Sequence, residues 1–220
     1  MLNEKKCRSL WESALAHLIQ HEPNVLEWAR GLKENAFITL RAKSFLRQYC
    51  FVVYASGFRY HTIKARFPDL AEAFHGFDLE RLTRMRSLQS VLKVFGNERK
   101  ASNFLDGAKA ISNEGFSAFK KRLALGGPNV LEELPGIGPI TKNHLAKNIG
   151  LADVAKADVW LVRAADVCGA GSVPELVDFL HHQSGESRHV IDVVLWTYGR
   201  DGKLPGYVSK GQAATDCNRS

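Results

Sequence analysis

The chain has 220 residues, a formal net charge of +7 and a pI near 9.3. Its 45% hydrophobic and 24% charged residues exclude general disorder and suffice for one large domain or two smaller lobes. The excess of basic residues favours an anionic partner, nucleic acid among them.

Cys7, Cys50, Cys168 and Cys217 are scattered, so neither a zinc knuckle nor a local iron–sulfur ligand run is written. The opening MLNEKKCRSLWESALAHLIQ is interrupted by Lys5, Lys6, Arg8 and Glu12. It reads as an amphipathic helix, neither a signal peptide nor a membrane span. Four scattered thiols suit a reducing compartment, and the cytoplasm, at a bacterial-type nucleoid, is the expected location.

Helical periodicity runs through most of the chain. Ala42, Phe45, Leu46, Tyr49, Val52 and Val53 recur at three- and four-residue spacings within 36–56, and Gly57 ends the run. FVVYA, residues 51–55, has strand composition but lies inside this helical pattern. A second helix is expected from Tyr60 to Phe74, with a turn or break near Pro68. Ala101, Phe104, Leu105, Ala108 and Ile111 mark a third over 98–112, stopped by Asn113-Glu114-Gly115. Val190, Ile191, Val194, Leu195 and Tyr198 form a late stripe with Gly199 as its expected C-cap. From Asp201 to Ser220 the sequence is polar and aperiodic, as in a tail that drapes over the surface or is partly disordered. The fold class expected is all-α.

The most informative segment is LEELPGIGPITKNHLAKNIG, residues 131–150. A short helix ends before Pro135, and Gly136 and Gly138 permit backbone conformations that side chains forbid. Pro139 suits the first turn of a second helix, which Gly150 closes. Backbone N–H groups in such a turn approach a phosphate closely and hold it without reading base sequence. A bare interhelical turn is the simpler alternative.

With DVAKADVWLVRAA following it, this segment resembles the signature of the helix–hairpin–helix DNA glycosylase superfamily. Gly96-Asn97-Glu98-Arg99-Lys100-Ala101 resembles a second family feature, and the likeness covers roughly 36–165. It implies two helical lobes with the active-site cleft between them. The expected division is 34–152, a central lobe carrying the hairpin, against 1–33 plus 153–220, a second lobe formed by both termini. By the same resemblance Asp158 is the catalytic carboxylate, at the start of the helix after the hairpin. It stabilises the sugar cation formed as the base departs, and it activates water. The alternative is that Asp158 merely caps the helix VWLVRAADV, and both roles are compatible.

Bifunctional members carry an amine nucleophile in the hairpin's second helix. Here that position is Ile140. Lys142 faces the other way round the helix and suits a phosphate contact, and Lys147 is too far along the axis. The expected activity is therefore monofunctional: hydrolysis of the N-glycosidic bond of a damaged or modified base flipped out of duplex DNA, leaving an abasic site. Two alternatives remain, a bifunctional glycosylase and lyase using Lys142, and a non-enzymatic hairpin DNA-binding protein.

Phosphate contacts are assigned to Gly136, Ile137, Gly138, Thr141 and Lys142. Tyr54, Phe58, Arg59, Tyr60, His61 and Trp160 are candidates for the base pocket or a DNA wedge, with core packing as the alternative for Tyr54 and Trp160. His181, His182 and His189 lack the Cys or carboxylate partners of a metal site. No cofactor and no iron–sulfur cluster are expected, though the resemblance leaves room for an alkali cation at the hairpin. The expected partner is double-stranded DNA containing a modified base, bound by a monomer.

Overall fold

The computed structural model describes residues 1–31 and 36–206; the rest of the expected tail, 207–220 with Cys217, lies outside the described residues. Among the described residues the chain is all-α, without strands. The helices are α1 (Glu4–His21), α2 (Pro23–Gly31), α3 (Ala42–Ala55), α4 (Tyr60–Ala73), α5 (Leu79–Thr83) and α6 (Gln89–Val94). After them come α7 (Glu98–Glu114), α8 (Phe116–Gly126), α9 (Pro139–Asn148), α10 (Val159–Cys168), α11 (Val173–Ser184) and α12 (Arg188–Arg200). A 3-10 stretch, Gly127–Glu133, joins α8 to the turn before α9. No helix among the described residues is long and apolar enough to cross a membrane.

The chain divides into two compact units, Met1–Leu32 with Asp153–Ser220, and Lys33–Ala152. In the second unit α3 is the central helix. Phe45, Leu46, Tyr49, Cys50, Val52, Val53 and Tyr54 are all buried, so its apolar face is wider than one stripe. Its aromatic rings meet Phe104, Phe119, Phe74 and Phe95 at centroid distances of 5.2–6.3 Å, mostly edge to face or tilted, the geometry that aromatic quadrupoles favour. Gly107 in α7 lets α3 come this close: a Cβ there would lie 2.2 Å from the Tyr49 Oη.

Helix α4 continues through Pro68 instead of breaking there. Pro68 lies on the exposed side, while Ile63, Phe67 and Leu70 bury the opposite face. Burial of that face offsets the missing hydrogen bond that an interior proline imposes.

In the first unit α12 packs against α1, α2, α10 and α11. Leu18, Leu161, Cys168, Leu176, Ile191, Val194 and Leu195 are essentially inaccessible in this core. The N-terminal segment is tied in by the Asn3 N–H, which donates to the Cys168 carbonyl at 2.8 Å. Gly199 is not the C-cap of α12; the helix continues to Arg200. A Cβ at Gly199 would meet Trp160 Cβ at 2.9 Å, so this glycine serves the approach of α10 to α12. Of the expected tail, Leu204 is buried in the same core.

Asp201 closes α12 and accepts from Arg200 and, at 2.9 Å, pairs with His17 of α1. Burial alone would raise its carboxyl, but the hydrogen bonds from Arg200 and His17 outweigh burial and hold it below its ordinary value of 3.8. A carboxyl depressed by folding stabilises the native state above its unfolded pKa, and that contribution is lost as pH falls through the folded value. Asp201→Asn should therefore lower stability at neutral pH and shrink the loss of stability below about pH 4, read by urea titrations across pH 2.5–7. Gly107→Ala should cost roughly 1–3 kcal/mol by overpacking against Tyr49, read as a lower urea midpoint at unchanged slope.

Candidate functional site

The hairpin belongs to the second unit. Gly136 has φ +83°, which strains any side chain, and a Cβ there would also press on Asn103 Nδ2 at 3.1 Å. Gly138 differs from the sequence expectation: its φ of −127° and ψ of −175° are extended backbone open to any residue. Nothing lies within 4 Å of where its Cβ would be, so its value is access to the backbone, not torsional freedom. Pro139 opens α9. At the other end Gly150, φ +68°, donates to Lys147 O at 3.1 Å while Leu151 N–H donates to Ala146 O at 2.9 Å, a Schellman closure.

The residues assigned to phosphate contact have intramolecular partners of their own. Ile137 is buried and its N–H donates within the turn to Leu134 O at 3.1 Å. The Gly138 N–H donates to Thr141 Oγ1 at 2.7 Å, and the Thr141 hydroxyl donates back to Gly138 O at 3.2 Å, so that hydroxyl is committed to the cap. Lys142 donates to Asn129 Oδ1 at 2.8 Å and pairs with Glu132, so its charge is already matched. The donors without an intrahelical acceptor are the Ile140 and Thr141 N–H groups: Pro139 has none, and the Lys142 N–H takes up Gly138 O at 2.9 Å. The side chain of Ile140, at the family's lysine position, is 51% exposed.

Tyr49 holds this hairpin. It is fully buried, and its Oη contacts Pro135 O at 2.6 Å and Asn103 O at 3.0 Å, tying α3 to the turn and to α7. Burial pushes its hydroxyl pKa up, so it remains a donor.

Tyr54 does not face a base: it is fully buried against Phe74 and Phe95, and its hydroxyl has no hydrogen-bond partner. Core packing won at that position because Phe74 and Phe95 enclose the Tyr54 side of α3's last turns. Phe58 and Arg59 lie on the turn from α3 into α4, and Tyr60 and His61 open α4. Phe58 is 42% exposed, its ring edge-on to Phe95 at 5.0 Å. Buried Lys100 supports the turn from below: its Nζ donates to Val53 O and Ser56 O at 2.6 and 2.8 Å and sits 5.4 Å from the Phe58 ring. Desolvation lowers the Lys100 pKa, and neighbouring Arg99 adds to this.

Asp158 lies in the first unit and is the N-cap of α10. Its Oδ1 accepts from Trp160 N–H at 3.0 Å and Leu161 N–H at 3.4 Å. Its Oδ2 faces Lys156 Nζ at 3.2 Å, and the side chain keeps 13% of its surface exposed. The segment before it is fixed by two carboxylates. Asp153 accepts from the first-turn N–H groups of Arg188 and His189 at 3.1 and 2.9 Å, and buried Asp192 of α12 accepts from the Lys156 N–H. Trp160 is half-buried, packed on Gly199 with the Arg163 guanidinium 5.0 Å from its ring.

Lys156 escaped the sequence reading, which sought an amine only within the hairpin. The signal available was only proximity in sequence: Lys156 is two residues before Asp158, and the Asp158 N–H closes a tight turn onto the Lys156 carbonyl at 2.8 Å. Among the described residues no group of three or more His, Cys, Asp or Glu is arranged to hold a metal. His181 instead engages the Glu186 carbonyl at 2.7 Å, and His189 packs edge-on to Trp28 at 5.4 Å.

Comparison with protein-family models, with curated proteins and with solved structures finds no match to this chain.

Tyr49→Phe should leave the Pro135 carbonyl without its buried partner. It should destabilise the fold by about 1–3 kcal/mol and increase hydrogen exchange at 135–142 more than at α10–α12.

Proposed function

We propose that this protein is a monofunctional DNA glycosylase of the helix–hairpin–helix class, hydrolysing the N-glycosidic bond of a damaged or modified base in base excision. The observation that carries the reading is Asp158, a carboxylate with one oxygen anchored by two backbone N–H groups and the other paired with Lys156, its side chain still 13% exposed. Cleavage of an N-glycosidic bond builds positive charge on the sugar, and a fixed carboxylate stabilises that charge without reorganising. The same carboxylate accepts a proton from the attacking water.

Three further features support DNA as the substrate. The Ile140 and Thr141 N–H groups at the start of α9 suit a phosphate oxygen or the cation-bridged equivalent. Exposed Phe58, Arg59 and His61, with half-buried Tyr60, lie where α3 turns into the start of α4 and are suited to filling the space of an extruded base. The net charge of +7 favours the polyanion at long range. The hairpin offers no amine at Ile140 and Lys156 is paired to the carboxylate, so the reading takes water as the nucleophile and an abasic site as the product.

Asp158→Asn separates charge from structure, because Asn caps a helix about as well as Asp. The variant should keep its melting temperature and DNA affinity while single-turnover base release falls about 10²–10³-fold. Wild type should break strands only after alkali. Breaks without alkali would overturn the monofunctional assignment, and tight binding without release across a broad panel of modified bases would favour a hairpin binding module.

A further inference from the structure

The capping oxygen of Asp158 is accounted for by α10, but its second oxygen faces a lysine. Lys156 Nζ stands 3.2 Å from Oδ2, with 22% of its side chain exposed. Its backbone is held by Asp192, which is only 1% exposed, and the Asp158 N–H donates to the Lys156 carbonyl at 2.8 Å. Helix capping explains none of this, since an N-cap residue needs no cation. The ammonium is therefore held at the Asp158 oxygen that helix capping does not use.

A cation in that place affects two kinds of base oppositely. A neutral base leaves as an anion unless it is protonated, so a nearby ammonium assists by giving up a proton. A base already alkylated to a cation needs no proton, and a second positive charge beside it is repulsive. We propose that Lys156 is the proton donor to the departing base, and that the substrate is a neutral modified base rather than a cationic alkylated purine. The proposal rests on the glycosylase reading of Asp158.

The step balances within the pair. The C1′–N bond breaks with its electron pair passing to the base, and the base takes a proton from Lys156 Nζ. Water adds to C1′ and gives its proton to Asp158 Oδ2. That proton crosses the 3.2 Å gap to the neutral amine, restoring the ammonium and the carboxylate. The net change is addition of one water across the glycosidic bond.

The test is single-turnover base release from duplexes carrying hypoxanthine, uracil or 8-oxoguanine as neutral bases and 7-methylguanine as the cationic one. Wild type should release at least one neutral base faster than 7-methylguanine. Lys156→Met should slow release of that neutral base by about 10²-fold or more and leave 7-methylguanine release unchanged or faster. Lys156→Arg retains the charge but not a readily surrendered proton, so it should stay slow on the neutral base. The partly exposed side chain makes both variants tolerable to the fold, and melting temperature checks this. Preference for 7-methylguanine, equal slowing of both classes by Lys156→Met, or full activity of Lys156→Arg would each overturn the proposal while leaving the glycosylase reading intact. Absence of release from every duplex would overturn both.

Discussion

A helix must begin somewhere, and its first N–H groups have no carbonyl behind them to accept. In an all-helical chain this constraint recurs at every element, and the answers found here differ in a way that bears on chemistry. Asn3, Asp78, Asn97, Ser172 and Ser187 each accept one such N–H with a side-chain oxygen. Asp153 does the same at a distance, reaching α12 from another part of the chain. Asp158 also caps, yet capping uses only one of its oxygens. Helix α9 starts instead at Gly138, which has no side chain, so the Ile140 and Thr141 N–H groups are not taken by a capping side chain. Neither trait is confined to these two places, since Asp78 also caps with one oxygen and α3, α4, α6 and α8 also start without a side-chain cap; what distinguishes Asp158 is the lysine held at its second oxygen.

Both depend on anchoring from elsewhere in their own unit. The start of α9 is placed by Tyr49, whose hydroxyl reaches Pro135 from the middle of the buried helix α3, and by Gly107, which makes room for that ring. The stretch leading to Asp158 has no regular structure, and it would wander without Asp153 and Asp192 drawing it onto α12. Lys100 performs the equivalent task for the aromatic turn, satisfying the last carbonyls of α3 so that Phe58 is held out from a rigid base. Polar groups so buried are costly unless matched, and here each is matched to the backbone of a segment that carries an exposed group.

What could be read from sequence follows from this. Helix periodicity needs only the chain's own apolar spacing, so α3, α7 and α12 were legible, as was the start of α10 at Asp158. Most of the misplaced features answer to packing or pairing that local periodicity does not encode. Pro68 lies inside α4 because its buried face holds the helix together, and Gly199 is buried in α12 because Trp160 presses on it. Tyr54 looked like part of an aromatic cluster with Phe58 and Tyr60, but Phe74 and Phe95 enclose it. Gly138 shares a motif with Gly136 and not its torsion. Lys142 looked free until Glu132 and Asn129 came beside it.

The pairing of Lys156 with Asp158 bears on why the cap is an aspartate at all. Asparagine or serine would close α10 comparably, without a charge to be desolvated. A partly buried carboxylate is tolerated where a cation compensates it, and the compensating cation is itself supplied by the segment that Asp192 fixes. The charged pair is therefore no by-product of helix capping: it requires two extra residues, one of them a buried acid, to hold it. Partly buried ion pairs give back in attraction roughly what they cost in desolvation, so folding alone gives weak reason for building this one. A pair that can separate a negative charge, turned to a developing sugar cation, from a proton, turned to a leaving base, gives a stronger one.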